Sequence, residues 1–266
     1  MNLPRLLICL VLLTACSSAP FFTPLPQDDN GQFYAEHPGR PAVLIIHGLS
    51  ATPWEVKTLS IYLAEHHYTV LAPVLAGHGR SPADLEATTW QDWYTNVNES
   101  YARLAAVSTH VFVIGVSTGG SLALELGKEY PLAGIVTIGA PVTLRDTRTK
   151  YAKLASNVLR WTPHTVLPEE EGHYYPVLPT KTIAELNKLI AQTVADAPSV
   201  KEPVLLIQSR VDPTVDPSSA NDLYLMLGSQ DKRILWLDSV THTVIRDDTQ
   251  GAVLADILKF LNAREK

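Results

Sequence analysis

The stretch His110-Val-Phe-Val-Ile-Gly115-Val-Ser117-Thr-Gly-Gly120-Ser-Leu-Ala-Leu-Glu-Leu-Gly-Lys128 decides how this chain is read. Residues 110–114 are mostly β-branched or aromatic and read as a buried strand, and residues 121–128 read as a helix. Between them lies Gly115-Val-Ser117-Thr-Gly119, a G-x-S-x-G turn. A turn this tight has no room for side chains at its two flanking positions. Glycine therefore fills them, and the serine Oγ projects into a cleft. Strand, turn and helix together mark a nucleophile elbow with Ser117 at its tip.

Outward from the elbow, short apolar runs alternate with amphipathic segments. Strands are predicted over 42–46, 68–74, 134–139, 204–208 and 233–237. Helices are predicted over 53–67, 90–107, 218–227 and 250–261. Continuous apolar strands separated by helices imply an α/β fold whose mostly parallel central sheet is covered by helices on both faces. In such sheets the chemistry gathers at the strand carboxyl ends. The region from about 141 to 196 breaks the alternation: no strand is read there, only helices over 146–159 and 181–194. It reads as a small helical cap insertion, the alternative being two ordinary crossover helices. Leu154, Val158, Leu159, Trp161 and Leu167 either line a pocket beneath this cap or pack among its helices.

A serine hydroxyl is a weak nucleophile at neutral pH; it needs a base, and the base needs an orienting acid. Behind an elbow the chain order is serine, acid, histidine. Asp212 directly follows the strand at 204–208 and is preferred to Asp216, which lies farther along the loop before Pro217. His242 follows the strand at 233–237, and every other histidine precedes Asp212, so His242 alone satisfies the order. His47-Gly-Leu49 closes the first apolar strand. Its use is the backbone N–H of Leu49, aimed with that of Thr118 at a developing oxyanion. His47 and His78 read as structural histidines bracing their loops.

With 266 residues, a net charge of −6 and no long basic cluster, the chain has room for one α/β domain and little affinity for nucleic acid. Arg5 precedes an apolar run at 6–13 that is too short to span a bilayer but suits a signal peptide. Leu13-Thr-Ala-Cys16 resembles the bacterial lipobox, in which the cysteine is lipidated and becomes the first mature residue. The expected organisation is a lipoprotein signal peptide (1–15), a Pro-rich lipidated tether (16–32) and a catalytic domain (33–266). This places the protein on the bacterial cell envelope. By resemblance to lipoprotein sorting in Gram-negative bacteria, Ser17 after the cysteine implies the outer membrane if the cell is of that type. Cys9 and Cys16 are the only cysteines, so the mature domain is expected to lack a disulfide.

These motifs together resemble the α/β-hydrolase superfamily, in its bacterial carboxylesterase and monoacylglycerol lipase group, from about residue 33 onward. The segments that carry the resemblance include Leu44-Ile-Ile-His-Gly-Leu49, Ala76-Gly-His-Gly-Arg-Ser-Pro82, Trp90-Gln-Asp-Trp93 and Gly139-Ala-Pro141. Asp212-Pro-Thr-Val-Asp-Pro-Ser-Ser-Ala220 and Thr241-His-Thr-Val-Ile245 complete them. The resemblance implies a Ser117–His242–Asp212 triad and an oxyanion hole at Leu49 and Thr118. It also implies an ester or monoacylglycerol substrate with short- to medium-chain acyl groups, and no metal or organic cofactor. Other acyl chemistry (a thioesterase, amidase or acyltransferase) and a non-catalytic envelope lipoprotein remain the alternatives. The oligomeric state is not legible.

Overall fold

A computed structural model of the chain describes residues 31–166, 168–238, 242, 245 and 250–265. The signal peptide, Cys16 and nearly all of the tether lie outside the described residues, as do Leu167 and the neighbours Thr241 and Thr243 of His242.

In chain order the elements are β1 (Phe33–Ala35), β2 (Ala42–Ile46), α1 (Lys57–Glu65), β3 (Thr69–Ala72), α2 (Pro82–Glu86) and α3 (Trp90–Ala105). There follow β4 (Val111–Val116), α4 (Thr118–Glu129), β5 (Gly134–Ile138), α5 (Ala152–Ala155), β6 (Trp161–Pro163) and β7 (Val177–Pro179). The chain ends with α6 (Thr180–Asp196), β8 (Val204–Ser209), α7 (Ser218–Met226), β9 (Lys232–Leu237) and α8 (Gln250–Asn262). The main sheet has seven strands in the order β1-β3-β2-β4-β5-β8-β9. All neighbours are parallel except β1, which runs antiparallel to β3.

The five inner strands β3, β2, β4, β5 and β8 are buried throughout, which is why their sequences are mostly apolar with no regular polar alternate. Pleating still divides them between two cores. Leu44, Val113, Ile135 and Leu206 pack with Val97 of α3, Leu122 and Leu126 of α4, Leu189 of α6 and Leu223 of α7. Val43, Phe112, Val136 and Leu205 face the other way, onto Leu59 and Leu63 of α1 and Ile257, Phe260 and Leu261 of α8. Each such buried side chain contributes about 1.5–3 kcal/mol of transfer free energy.

The sheet order also sets a topological switch point between β2 and β4. The chain leaves β2 toward β3 on one side, whereas β4 sends it to β5 and β8 on the other. At such a switch point the connecting loops diverge and leave a crevice at the strand carboxyl ends.

The cap differs from the expectation in two ways. Instead of being wholly helical, it holds a two-stranded antiparallel sheet, β6 with β7, in the register Trp161↔Pro179, Thr162↔Leu178 and Pro163↔Val177. Three-residue strands carrying prolines have no period-two run to read. The helix expected at 146–159 is a 3₁₀ turn (Thr147–Tyr151) followed by the single turn α5. Moreover, α6 packs on α3 and α4 through a buried face that includes Leu186, Leu189 and Thr193. It therefore belongs to the layer covering the sheet.

Candidate active site

Ser117 sits between β4 and α4 with φ 52° and ψ −117°. A non-glycine residue held there stores on the order of 1–3 kcal/mol of strain. Its N–H donates to Ile138 O at 2.7 Å, and its carbonyl accepts the Gly120 N–H at 2.8 Å. A Cβ at Gly115 would fall onto the Gly119 carbonyl, and a Cβ at Gly119 onto the Ile46 carbonyl. The two glycines flanking the serine are thus required by backbone approach.

Asp212 follows β8 and is 1% exposed. Its Oδ1 accepts the N–H groups of Thr214 and Val215 at 2.8 and 2.9 Å. Its Oδ2 accepts Nε2–H of Gln208 at 3.1 Å and Nδ1–H of His242 at 2.7 Å. Burial alone would push this carboxyl upward, but the His242 hydrogen bond and charge and the two backbone donors outweigh it and hold it below its ordinary value. Asp216 instead accepts the Ser218 N–H at 2.9 Å, at the start of α7. The structure therefore brings His242 to Asp212 and not to Asp216.

The His242 ring lies against Gly139, whose φ is +61°. A Cβ there would stand 3.1 Å from Cε1 and 3.2 Å from Nδ1. With the proton on Nδ1 committed to Asp212, Nε2 is the basic nitrogen.

His47, buried, donates from Nδ1–H to Gly48 O at 2.9 Å and accepts the Leu75 N–H on Nε2 at 3.2 Å. Burial and the neighbouring His78 lower its pKa to about 3, and burial lowers that of His78 to about 4. Both are neutral and structural. The Gly48 carbonyl also receives the Ala51 N–H at 3.4 Å. In a trans peptide the Leu49 N–H points opposite to that carbonyl, away from these two donors. Among the described residues, neither the Leu49 nor the Thr118 N–H is committed to another acceptor.

Several positioning groups had no motif to announce them. Ser219 Oγ accepts the N–H groups of Val142 and Thr143 at 3.1 and 3.0 Å. Arg145 donates from its backbone to Thr214 O and from Nε to Asp212 O. These contacts lash the chain leaving β5 to the loop that carries Asp212. Glu55, 4% exposed, accepts the Gly48 N–H and the Tyr174 hydroxyl, each at 2.6 Å. Tyr175, next in the chain, donates to Gly77 O at 3.1 Å.

Leu154 and Val158, considered as pocket lining, are 73% and 90% exposed and face outward, as does Leu159. Trp161 is half-buried under the Arg160 guanidinium at 4.6 Å. Among the described residues no cluster of three His, Cys, Asp or Glu side chains suits a metal ion.

The Alpha/beta hydrolase family model matches residues 43–257. The chain belongs to that family. It is 30% identical over 230 residues to a carboxylesterase of Bacillus subtilis (strain 168), covering 84% of this chain and 93% of the relative. It is 32% identical over 232 residues to a thermostable monoacylglycerol lipase of Bacillus sp. (strain H-257), covering 86% and 92%. A solved structure reported for the metagenome-derived lipolytic enzymes LipS and LipT superposes with a TM-score of 0.83 at 29% identity, covering 89% of this chain and 98% of that one. The protein is an enzyme, an esterase- or monoacylglycerol-lipase-like α/β hydrolase.

Proposed function

We propose that this hydrolase is a serine carboxylic-ester hydrolase that acts on short- to medium-chain acyl esters or monoacylglycerols through Ser117, His242 and Asp212. The observation that carries this reading is the 2.7 Å hydrogen bond from His242 Nδ1–H to the buried Asp212, and the strained elbow geometry of Ser117 at the end of β4 accompanies it. His242 Nε2 takes the Ser117 proton as Oγ attacks the ester carbonyl. The tetrahedral oxyanion forms against the N–H groups of Leu49 and Thr118, and His242 then protonates the departing alcohol. Water, deprotonated by the same imidazole, attacks the acyl-enzyme and releases the acid with Ser117 restored. No step needs a cofactor.

Tyr174 and Tyr175 pin the cap close to the site rim, which supports a compact acyl site. The test is hydrolysis of p-nitrophenyl esters from acetate to palmitate by residues 17–266, with Ser117→Ala alongside. A peak at short or medium chains that vanishes in the variant supports the reading. No turnover, with Ser117 still labelled by a fluorophosphonate, would move the substrate to thioesters, amides or acyl transfer.

The same proposal places the enzyme on the bacterial cell envelope through lipidated Cys16, facing the outer membrane if the cell is Gram-negative. The apolar run at 6–13 and the following Leu-Thr-Ala-Cys support this. So does the outer cap face, where Leu154 and Val158 accompany Arg148, Lys150 and Lys153, a combination suited to an anionic lipid surface.

A further inference from the structure

We infer that Glu55 is a positioning residue for the oxyanion hole, and that Tyr174 makes its placement depend on the seated cap. The inference rests on the serine-hydrolase reading above and goes beyond it by linking the cap to the transition state. Gly48 is sandwiched between two side chains: a Cβ on it would stand 3.3 Å from both Glu55 oxygens and 3.5 Å from Ser117 Cβ. The Glu55 carboxylate and the Ser117 Cβ therefore border the same small space, which the missing side chain of Gly48 leaves open. Its Oε2 accepts the Gly48 N–H at 2.6 Å, fixing the peptide before Gly48. His47 and Ala51 fix the peptide after it, through the Gly48 carbonyl. With both flanking peptide planes held, the Leu49 N–H has one direction open to it. Such preorganisation matters because an oxyanion donor acts only if it is aimed before charge develops.

The other oxygen of Glu55 reaches the cap. Oε1 accepts the hydroxyl of Tyr174 at 2.6 Å, from the chain that runs between β6 and β7. The adjacent pair repeats the contact, since the Trp54 and His173 rings stack at 3.7 Å and 5°. Residues 54–55 behind the oxyanion loop thus dock on residues 173–174 of the cap. A carboxylate so near a developing oxyanion would repel it, but hydrogen bonds from Gly48 and Tyr174 delocalise its charge. Lifting the cap would take away the Tyr174 donor and with it one of the contacts that fix the Glu55 carboxylate against the loop. The hole is therefore best aimed when the cap is seated.

The experiment compares Glu55→Ala, Glu55→Gln and Tyr174→Phe by p-nitrophenyl butyrate kinetics, by the rate of fluorophosphonate labelling of Ser117, and by affinity for an alkylboronic acid. Glu55→Ala should lower kcat and the labelling rate together by about 10–100-fold, less than or equal to the loss of one oxyanion donor, with KM within about 3-fold. Boronate affinity should fall in parallel. Glu55→Gln can accept from Gly48 and donate to the Tyr174 oxygen, so it should stay within about 3-fold of the parent. Tyr174→Phe should lose about 3–10-fold in kcat. Wild-type kcat and labelling rate in Glu55→Ala would overturn the inference, as would equal damage in Gln and Ala. If Glu55→Ala does not fold, retained activity in Glu55→Gln with a loss in Tyr174→Phe supports the coupling, and no loss in Tyr174→Phe overturns it. A parent enzyme that is labelled but hydrolyses no ester would sink the ester reading alone, and the labelling rates still decide this one. A parent that is not labelled sinks both.

Discussion

His242 Nδ1–H donates to Asp212 Oδ2 at 2.7 Å, across a separation of thirty residues in the chain. The same carboxylate is anchored by Thr214, Val215 and Gln208, so the imidazole is held by an acceptor that cannot turn. Asp212→Asn would place an amide donor or a weakened acceptor opposite Nδ1 and favour the wrong tautomer. We expect kcat to drop by roughly 10⁴-fold. Asp216→Asn should change kcat by no more than about 3-fold, since Asp216 caps the Ser218 N–H. Steady-state kinetics of the two variants check this, and the reverse ranking would move the acid to Asp216.

Ser117→Ala should abolish turnover without altering the circular dichroism spectrum. Ser117→Gly should be equally inactive but more stable than Ser117→Ala by about 1 kcal/mol, because glycine relieves the φ of +52° at this position. Chemical denaturation midpoints of the two variants compare them directly. Equal midpoints would mean that the elbow stores no strain.

Gly119→Ala should destabilise the fold by about 3 kcal/mol or more. Overpacking against movable side chains costs roughly 1–3 kcal/mol, and here the obstacle is the Ile46 and His47 backbone. Gly39→Ala is the contrast: nothing lies within 4 Å of its added Cβ, and its φ of +74° is the sole cost, about 1 kcal/mol. Thermal unfolding of both variants tests the ranking.

Acid should weaken the domain through His47 and His78. Both are buried and neutral, with pKa values lowered from 6.5 to about 3 and about 4. Below pH 6.5 the unfolded chain binds protons on these rings while the folded chain does not. The stability they contribute is thus complete above pH 6.5 and is lost as pH falls toward 4 and then 3. The slope is up to about 1.4 kcal/mol per pH unit for each ring. His78→Asn keeps a donor for Ala76 O and cannot titrate, so its unfolding free energy should fall less steeply between pH 6 and 4. Urea unfolding across that range reads the slope, and an unchanged slope would remove His78 from the account.

Cys16→Ser should prevent incorporation of radioactive palmitate and leave the protein unanchored or unprocessed. Continued labelling of the variant would contradict lipidation at Cys16.

Much of this was legible in one dimension because the deciding residues answer to local rules. The apolar run at 42–46 predicts a strand, and β2 has the same bounds. The G-x-S-x-G turn reads as an elbow because two glycines and a serine between an apolar run and a helix have few other uses. Asp212 is preferred to Asp216 in the sequence by its distance from the end of β8, and in the structure Asp212 is the one that accepts from His242. The cap was not legible in the same way. Trp161–Pro163 and Val177–Pro179 pair across a long intervening segment, so neither shows the pattern of a strand by itself.

The amino-acid sequence by itself determined the α/β layering, and it carries the expected order serine, acid, histidine on which the proposed triad rests. Both follow from hydrophobic period and from groups that lie beside strand ends. Only the tertiary structure decided what holds those groups in place. Glu55 and Tyr174 meet across 119 positions in the chain. Arg145 reaches the Asp212 carbonyl across 67. Contacts of that kind depend on where the folded sheet and cap carry each residue, and side-chain hydrogen bonds between distant loops leave no periodic trace in the chain that makes them.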